Sequence, residues 1–161
     1  MSSRPSSALS RHGLRLMQVG VGLLLFVSFE GFVIPQFAVP RLGLSVHTLG
    51  ALEGVLLLAL GVVWARLSVG VALSRIGFGL LVYSNLAILG AYSLAALWGA
   101  GNETIPLAAG AAHGGWLQEG LIKYLAYSSA PTGIVSFAIV LWGLRGNADH
   151  QREGKEQWNR A

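Results

Sequence analysis

Four long apolar stretches, separated by shorter polar connections, dominate the chain. They cover residues 16–34, 44–64, 76–98 and 121–144. Each is close to the ~20 residues that a helix needs to cross ~30 Å of hydrocarbon. Runs of this length with few charges predict transmembrane helices rather than a very apolar soluble protein. The pattern therefore predicts an all-α integral membrane protein, with a four-helix bundle formed by residues 15–146.

The two ends of the chain carry most of the charge. Residues 1–14 are rich in Ser and Arg and predict a disordered basic arm, and residues 147–161 predict a charged cytoplasmic tail. Lys and Arg are concentrated in these ends and in the connection 65–75, so we expect both termini in the cytoplasm. His12 is expected to be solvated or interfacial. Trp64 falls near the end of a segment, where indole rings favour the membrane interface.

The composition narrows the class of protein further. Of the 161 residues, 53% are hydrophobic and 11% are charged, against about 25% charged in ordinary soluble domains. The net charge of +4 does not form a basic stripe with interleaved aromatic residues, so we expect no nucleic-acid partner. The absence of cysteine excludes disulfides, thiolate metal sites and thiolate nucleophiles.

A few ionisable or polar residues interrupt the apolar segments. Glu30 lies in the first, His47 and Glu53 lie in the second, and Asn85 lies in the third. An ionisable side chain near the bilayer centre costs roughly 2.5–3.5 kcal/mol, so such residues normally face protein or water and serve a function. We expect Glu30, near the end of its segment, to serve packing or oligomer contacts.

His47 shares a helix face with Gly50 and Gly54, which follow it by three and seven positions. One interpretation is close helix packing through Gly50-x-x-x-Gly54, with His47 hydrogen-bonded across the contact. The other is a flat cofactor lying on the glycines with His47 as its ligand. Haem fits this second interpretation because imidazole is its common proximal ligand. A lone histidine does not make a zinc site, which needs three or four ligands.

Glu53 and Asn85 also have two interpretations each. Glu53 lies six positions after His47, about 9 Å along the axis and about 120° around the helix, so the two cannot share a metal ion. Glu53 is either a hydrogen-bonded carboxylic acid packed between helices or a group that reaches a substrate. Asn85 either forms an interhelical hydrogen bond or orients a polar substrate group.

Several blocks of the sequence resemble one family. They are AVPRLGLSVHTLGALEGVLLLALGVVWARL, SNLAILGAY, LWGAGNETIPLAAG, GGWLQEGLI and IVLWGLRG. Together they resemble the hydroxylaminobenzene mutases, small bacterial membrane proteins that convert an aryl hydroxylamine to an ortho-aminophenol. The block H-x-x-G-x-x-E-G is similar to H-x-x-G-x-x-N-G of that family. A similar spacing occurs in the styrene oxide isomerases, four-helix membrane enzymes that form trimers and hold haem b through the histidine.

The resemblance implies roles for individual residues. His47 would be the axial ligand of a ferric haem b, with Gly50 and Gly54 as further cofactor-binding residues. Glu53 stands where the relatives have an asparagine near the substrate, and Asn85 matches an asparagine on their third helix, so both are implied to be catalytic.

Two further positions bear on the resemblance. Glu119 matches a family glutamate loosely. The aspartate and tyrosine that assist epoxide isomerisation have no counterpart around Leu81 and Leu89, which favours the mutase branch.

The implied activity is a redox-neutral isomerisation in the bacterial cytoplasmic membrane, within the metabolism of aromatic compounds. The resemblance implies a homotrimer in which haem iron acts as a Lewis acid on the oxygen of an aryl hydroxylamine. Glu53 would stabilise positive charge or move a proton, and Asn85 would orient the N–OH group. Two alternatives remain: an epoxide-to-aldehyde isomerase, and a non-catalytic haem-binding membrane subunit or electron carrier.

Overall fold

Helices make up nearly all of the structure, a computed structural model that describes the backbone of residues 7–158 and the side chains of residues 8–145. No strand is present in this part of the chain, so the all-α prediction is confirmed. The elements are α1 (Ser7–Glu30), a 3₁₀ turn (Ile34–Gln36), α2 (Pro40–Trp64), α3 (Val71–Trp98), α4 (Pro106–Ala109) and α5 (Trp116–Trp158).

Four of the described helices are long and apolar enough to cross a membrane, as the sequence predicted. The spans are Ala8–Glu30, Pro40–Trp64, Val71–Trp98 and Trp116–Arg145. Large apolar side chains on their outer faces are exposed in the single chain, including Phe29, Leu52, Ile134 and Trp142. Such faces are stable in lipid, so the chain is a multi-pass membrane protein.

The helices begin earlier than the apolar runs that predicted them. α1 begins at Ser7 rather than Leu16, so residues 7–14 of the predicted disordered arm are helical, while residues 1–6 lie outside the described part. α2 begins at Pro40, whose fixed φ suits the first helical position. α5 passes through Pro131 and runs to Trp158, into the predicted tail. Hydropathy identifies the residues that are stable in lipid, whereas a helix can continue, through its backbone hydrogen bonds, into the polar sequence beside them.

Glycines bring α1 and α2 into close antiparallel contact. A Cβ placed on Gly20 would lie 2.7 Å from the carbonyl oxygen of Gly54, and one on Gly61 would lie 2.7 Å from that of Gly13. Only glycine lets two helix backbones approach this closely, and such contacts are a common way of joining helices in a membrane. The contact fixes the register of the two helices, and this register positions the candidate site.

α3 joins the two antiparallel helix pairs. It packs along α5 and also contacts α2 and α1, while α5 packs mainly against α3. The hydroxyl of Ser136 donates to the Gly77 carbonyl at 2.8 Å, and that of Ser84 donates to the Ser129 carbonyl at 2.8 Å. These bonds tie α3 to α5 in a region where no water is available to satisfy polar groups.

The connection between α3 and α5 is fixed by a buried carboxylate. α3 ends at Gly99, which adopts the left-handed conformation (φ 64°). Glu119, in the first turn of α5, accepts hydrogen bonds at Oε1 from the backbone N–H of Gly101 (2.8 Å) and Gly114 (2.9 Å). The loosely matched Glu119 therefore holds this connection in place.

Candidate functional site

His47 lies in the second turn of α2, against the end of α1. Its ring packs on Gly31, where a Cβ would come within 3.2 Å of the ring Cε1. The imidazole side chain is 39% exposed in the single chain. Part of the ring is therefore accessible, although α1 and α2 fix its position.

Glu30, the last residue of α1, contacts His47 directly. Its Oε2 lies 3.2 Å from the imidazole Nδ1, and its side chain is only 3% exposed. With the ring proton on Nδ1, His47 donates to the carboxylate and the lone pair of Nε2 stays available. No described residue forms a hydrogen bond with Nε2. A histidine whose other nitrogen is held by a carboxylate is a typical metal ligand.

Sequence reasoning assigned Glu30 to packing or oligomer contacts and missed this pair. One available signal was the short connection between the first two apolar segments. It folds α2 back along α1 and brings the last turn of one helix close to the first turns of the other. The register within that hairpin, however, depends on the contacts of Gly20 and Gly61 and cannot be read from the spacing of the residues.

Gly50 and Gly54 do not form a platform for a cofactor within this chain. A Cβ on Gly50 would lie 2.5 Å from Cγ1 of Val27, and one on Gly54 would lie 2.9 Å from Cγ of Leu24. α1 thus fills the space over both glycines. Within a single chain both glycines therefore serve close helix packing, and their assignment as cofactor-binding residues stays a prediction.

A cavity of about 500 Å³ lies beside Glu30, between α1, α2 and α3. Its wall includes Phe26, Phe29 and Phe37, and its polar lining comes from Glu30 and Ser93. We call it the phenylalanine cavity. Oε1 of Glu30 is buried and has no hydrogen-bond partner in the described chain, so this oxygen is free to bind a polar group. An aromatic wall with few polar groups suits a small aryl compound.

Glu53 and Asn85 lie deeper, between α2 and α3. They are 7% and 5% exposed, and neither lines the phenylalanine cavity. Gly50 of α2 lies beside Leu89 of α3, and the two helices are antiparallel. Glu53 lies one turn after Gly50 and Asn85 lies one turn before Leu89, so these two residues lie at a similar depth in the bundle.

The hydrogen bonds of these two residues are local or absent. Asn85 Nδ2 donates to the Leu81 carbonyl at 2.8 Å, and Oε2 of Glu53 is buried without a partner in the described chain. The structure therefore brings His47 together with Glu30 and places the predicted pair Glu53 and Asn85 further into the bundle.

His47 and its neighbours suit the binding of haem iron, but they do not form a site for a metal ion coordinated by protein side chains alone. Within residues 8–145, no group of three His, Cys, Asp or Glu side chains could hold a metal ion. A single imidazole with Nδ1 held by a carboxylate and Nε2 free suits a cofactor whose own ring supplies the remaining ligands.

Comparison with known proteins identifies relatives of the chain. The family model described as "Styrene oxide isomerase" matches residues 12–145. Hydroxylaminobenzene mutase HabB of Ectopseudomonas oleovorans is 44% identical over 131 residues, which cover 81% of this chain and 80% of that protein. Hydroxylaminobenzene mutase HabA of the same organism is 33% identical over 129 residues, 80% of this chain and 96% of that protein. No solved structure matches the chain.

Proposed function

The chain belongs to the styrene oxide isomerase family and is an isomerase, and from this membership we propose that it rearranges an aryl hydroxylamine to an ortho-aminophenol. The mutase branch is favoured because both curated relatives carry that name and one of them shares 44% of its aligned residues with this chain. The single structural observation that supports the proposal is the His47–Glu30 pair beside an aromatic cavity.

We propose that His47 binds haem b through Nε2. Glu30 fixes the ring orientation by accepting from Nδ1 at 3.2 Å, and Gly31 leaves the room that the ring needs. When bound, haem supplies a Lewis-acidic ferric iron for the substrate oxygen. The hydrogen bond to a carboxylate makes the imidazole a stronger ligand, which favours the ferric state.

The rearrangement is balanced without an external oxidant. In the aryl hydroxylamine the N–O bond breaks and positive charge spreads into the ring. A C–O bond forms at the ortho carbon, the ring proton leaves that carbon, and the nitrogen takes up a proton. The substrate and the product are isomers, so the protein needs only to hold the ring, stabilise charge and move one proton.

The chain's own residues can do these things. Phe26, Phe29 and Phe37 offer the aryl ring an apolar surface. Because Phe26 and Phe29 are 44% and 72% exposed in the single chain, lipid or another copy covers the open side and keeps out the water that would otherwise capture the cation at other ring positions. Glu30 accepts from Nδ1 of His47 and therefore lies on the imidazole side of a haem bound at Nε2, so its role is to position His47. For Glu53 and Asn85 we retain the catalytic roles of cation stabilisation and orientation of the N–OH group, which need a substrate that reaches deeper between α2 and α3.

We further propose a homotrimer in the bacterial cytoplasmic membrane, with both termini in the cytoplasm. The ring of His47 is partly exposed at the surface of a single chain, so a cofactor bound there needs cover from lipid or from another copy. An assembly of three copies, as the resemblance implies, would supply such cover. The basic residues near the start of α1 and α3, including Arg15 and Arg75, support the orientation.

Epoxide-to-aldehyde isomerisation is the second candidate function, because the matching family model is described by that activity. The two reactions use the same polarisation of a substrate oxygen but different substrates.

Purified protein supplied with haem should therefore be given phenylhydroxylamine and styrene oxide separately. We expect ortho-aminophenol from the first and little phenylacetaldehyde from the second. The reverse result would assign the chain to the epoxide branch. If neither substrate gives product above a buffer control, both candidate functions are overturned.

A further inference from the structure

A second cavity lies at the opposite end of the bundle from His47, where α1 and α3 begin. It has a volume of about 330 Å³ and is lined by Ala8, Arg11, His12, Arg15 and Arg75. We call it the arginine cavity. Its arginines come from two helices, α1 and α3, whose membrane spans begin at Ala8 and Val71. The cavity is therefore at the level where lipid headgroups meet the hydrocarbon.

A buried polar network supports one wall of the arginine cavity. Trp64, the last residue of α2, is buried, and its indole N–H donates to Ser74 Oγ at 3.0 Å. Ser74 Oγ lies 3.1 Å from Nδ1 of His12, and the His12 ring stacks on Phe78 with ring centroids 5.0 Å apart. His12, expected to be solvated or interfacial, is thus held in a defined position.

The indole N–H of Trp64 can only donate, so Ser74 Oγ is the acceptor in that bond. The same oxygen also contacts Nδ1 of His12, so one serine joins α2 and α1 at the wall of the arginine cavity.

The cavity concentrates positive charge. Within the described residues, neither Arg15 nor Arg75 forms an ion pair with a carboxylate. Like charges that share a cavity repel each other, and a bound anion offsets this repulsion. Guanidinium groups match the oxygens of a phosphate with two parallel hydrogen bonds, which an ammonium group cannot do.

We propose that the arginine cavity binds the phosphate group of an anionic phospholipid. Basic pockets between transmembrane helices at the membrane surface are suited to such headgroups. The bound phosphate joins Arg15 of α1 to Arg75 of α3 and stabilises the contact between these helices at this end. The site is independent of the isomerase reaction and lies at the other end of the molecule from His47.

The test uses the full chain purified in a neutral detergent, with phosphatidylglycerol, phosphatidylcholine and inorganic phosphate as three separate probes. Binding is measured by native mass spectrometry, and stability by thermal unfolding followed by circular dichroism. We expect phosphatidylglycerol to bind and raise the unfolding temperature. In the double variant Arg15→Gln/Arg75→Gln we expect the affinity for phosphatidylglycerol to fall about tenfold or more.

Arg66→Gln is the matched control, because Arg66 lies at the same end of the bundle but outside the cavity lining. It should bind phosphatidylglycerol like the wild type. If both variants lose phosphatidylglycerol binding equally, general surface charge rather than the cavity attracts the lipid, and the proposal is overturned. If inorganic phosphate stabilises the protein as much as phosphatidylglycerol does, the ligand is a free anion and the assignment to a lipid is wrong. If the double variant fails to fold, Arg75→Lys keeps the charge and should still weaken binding, and wild-type affinity in that variant would count against the site.

Discussion

At the scale of single residues, the pairing of His47 with Glu30 explains why two ionisable groups lie in apolar segments. Each partner provides the other with a hydrogen bond that lipid cannot offer, and the pair leaves one imidazole nitrogen free. The sequence indicated His47 as a candidate ligand from its residue type and its position in an apolar segment. It could not indicate Glu30, because the two residues are 17 positions apart and meet only through the register of α1 on α2.

Replacing Glu30 tests its role as the residue that positions His47. In Glu30→Ala the imidazole loses its acceptor, and we expect the affinity for haem to fall about 10–100-fold, the usual effect of losing a carboxylate behind a metal-bound histidine. In Glu30→Gln the amide oxygen can still accept from Nδ1, so affinity should be largely retained. The stretching frequency of the iron–histidine bond, measured by resonance Raman spectroscopy, should nevertheless fall because the neutral amide makes imidazole a weaker donor. An unchanged frequency would argue against a bond between this pair in the loaded protein.

Replacing Glu53 tests whether the deeper carboxyl takes part in the reaction. If Glu53 moves a proton or stabilises the cation, Glu53→Gln should lower kcat about a hundredfold or more while the haem spectrum is unchanged. Phenylhydroxylamine turnover under saturating substrate is the measurement. Near-normal turnover would restrict the role of Glu53 to helix packing.

At the scale of elements, the apolar runs predicted the number and type of the long helices correctly. They could not predict where the helices begin, because Ser7 and Pro40 belong to polar sequence that continues a helix without being suited to lipid. They also could not show which face each glycine serves. Gly50 and Gly54 are equally compatible with a helix neighbour and with a flat cofactor until the position of α1 is known.

A pair of alanine substitutions in α1 tests the glycine contact. A Cβ at Gly20 would meet the Gly54 carbonyl oxygen at 2.7 Å, whereas one at Gly22 would meet nothing within 4 Å. We expect Gly20→Ala to destabilise the protein by about 1–3 kcal/mol through overpacking, and Gly22→Ala to be neutral or slightly stabilising. Unfolding in mixed detergent micelles provides the comparison. Equal stability of the two variants would show that α1 and α2 are not in this contact.

The connection between α3 and α5 gives a second prediction at this scale. Glu119→Ala removes the acceptor of the Gly101 and Gly114 amides, and we expect a loss of about 1–3 kcal/mol together with faster hydrogen exchange in residues 99–115. Glu119→Gln keeps one acceptor oxygen and should lose less. Exchange in this segment that is the same in wild type and Glu119→Ala would be inconsistent with the role of this carboxylate as an anchor.

At the scale of the whole molecule, two polar sites lie at opposite ends of an apolar bundle. One end holds His47, Glu30 and the phenylalanine cavity, and the other holds the arginine cavity. Length, composition and the blocks that resemble the mutases were enough to predict the membrane fold and the family. Both cavities escaped prediction, since each is assembled from helices that are distant in sequence and meet only in the folded chain.

The most direct test of the central claim is the optical spectrum of purified protein supplied with haem. We predict a Soret band in the wild type and in His113→Ala, the control for a histidine in the α3–α5 connection. We predict its loss in His47→Gly, with partial recovery when free imidazole is added. A wild type that stays colourless after haem is supplied, or a His47→Gly spectrum identical to that of the wild type, would contradict the assignment of His47 as the haem ligand.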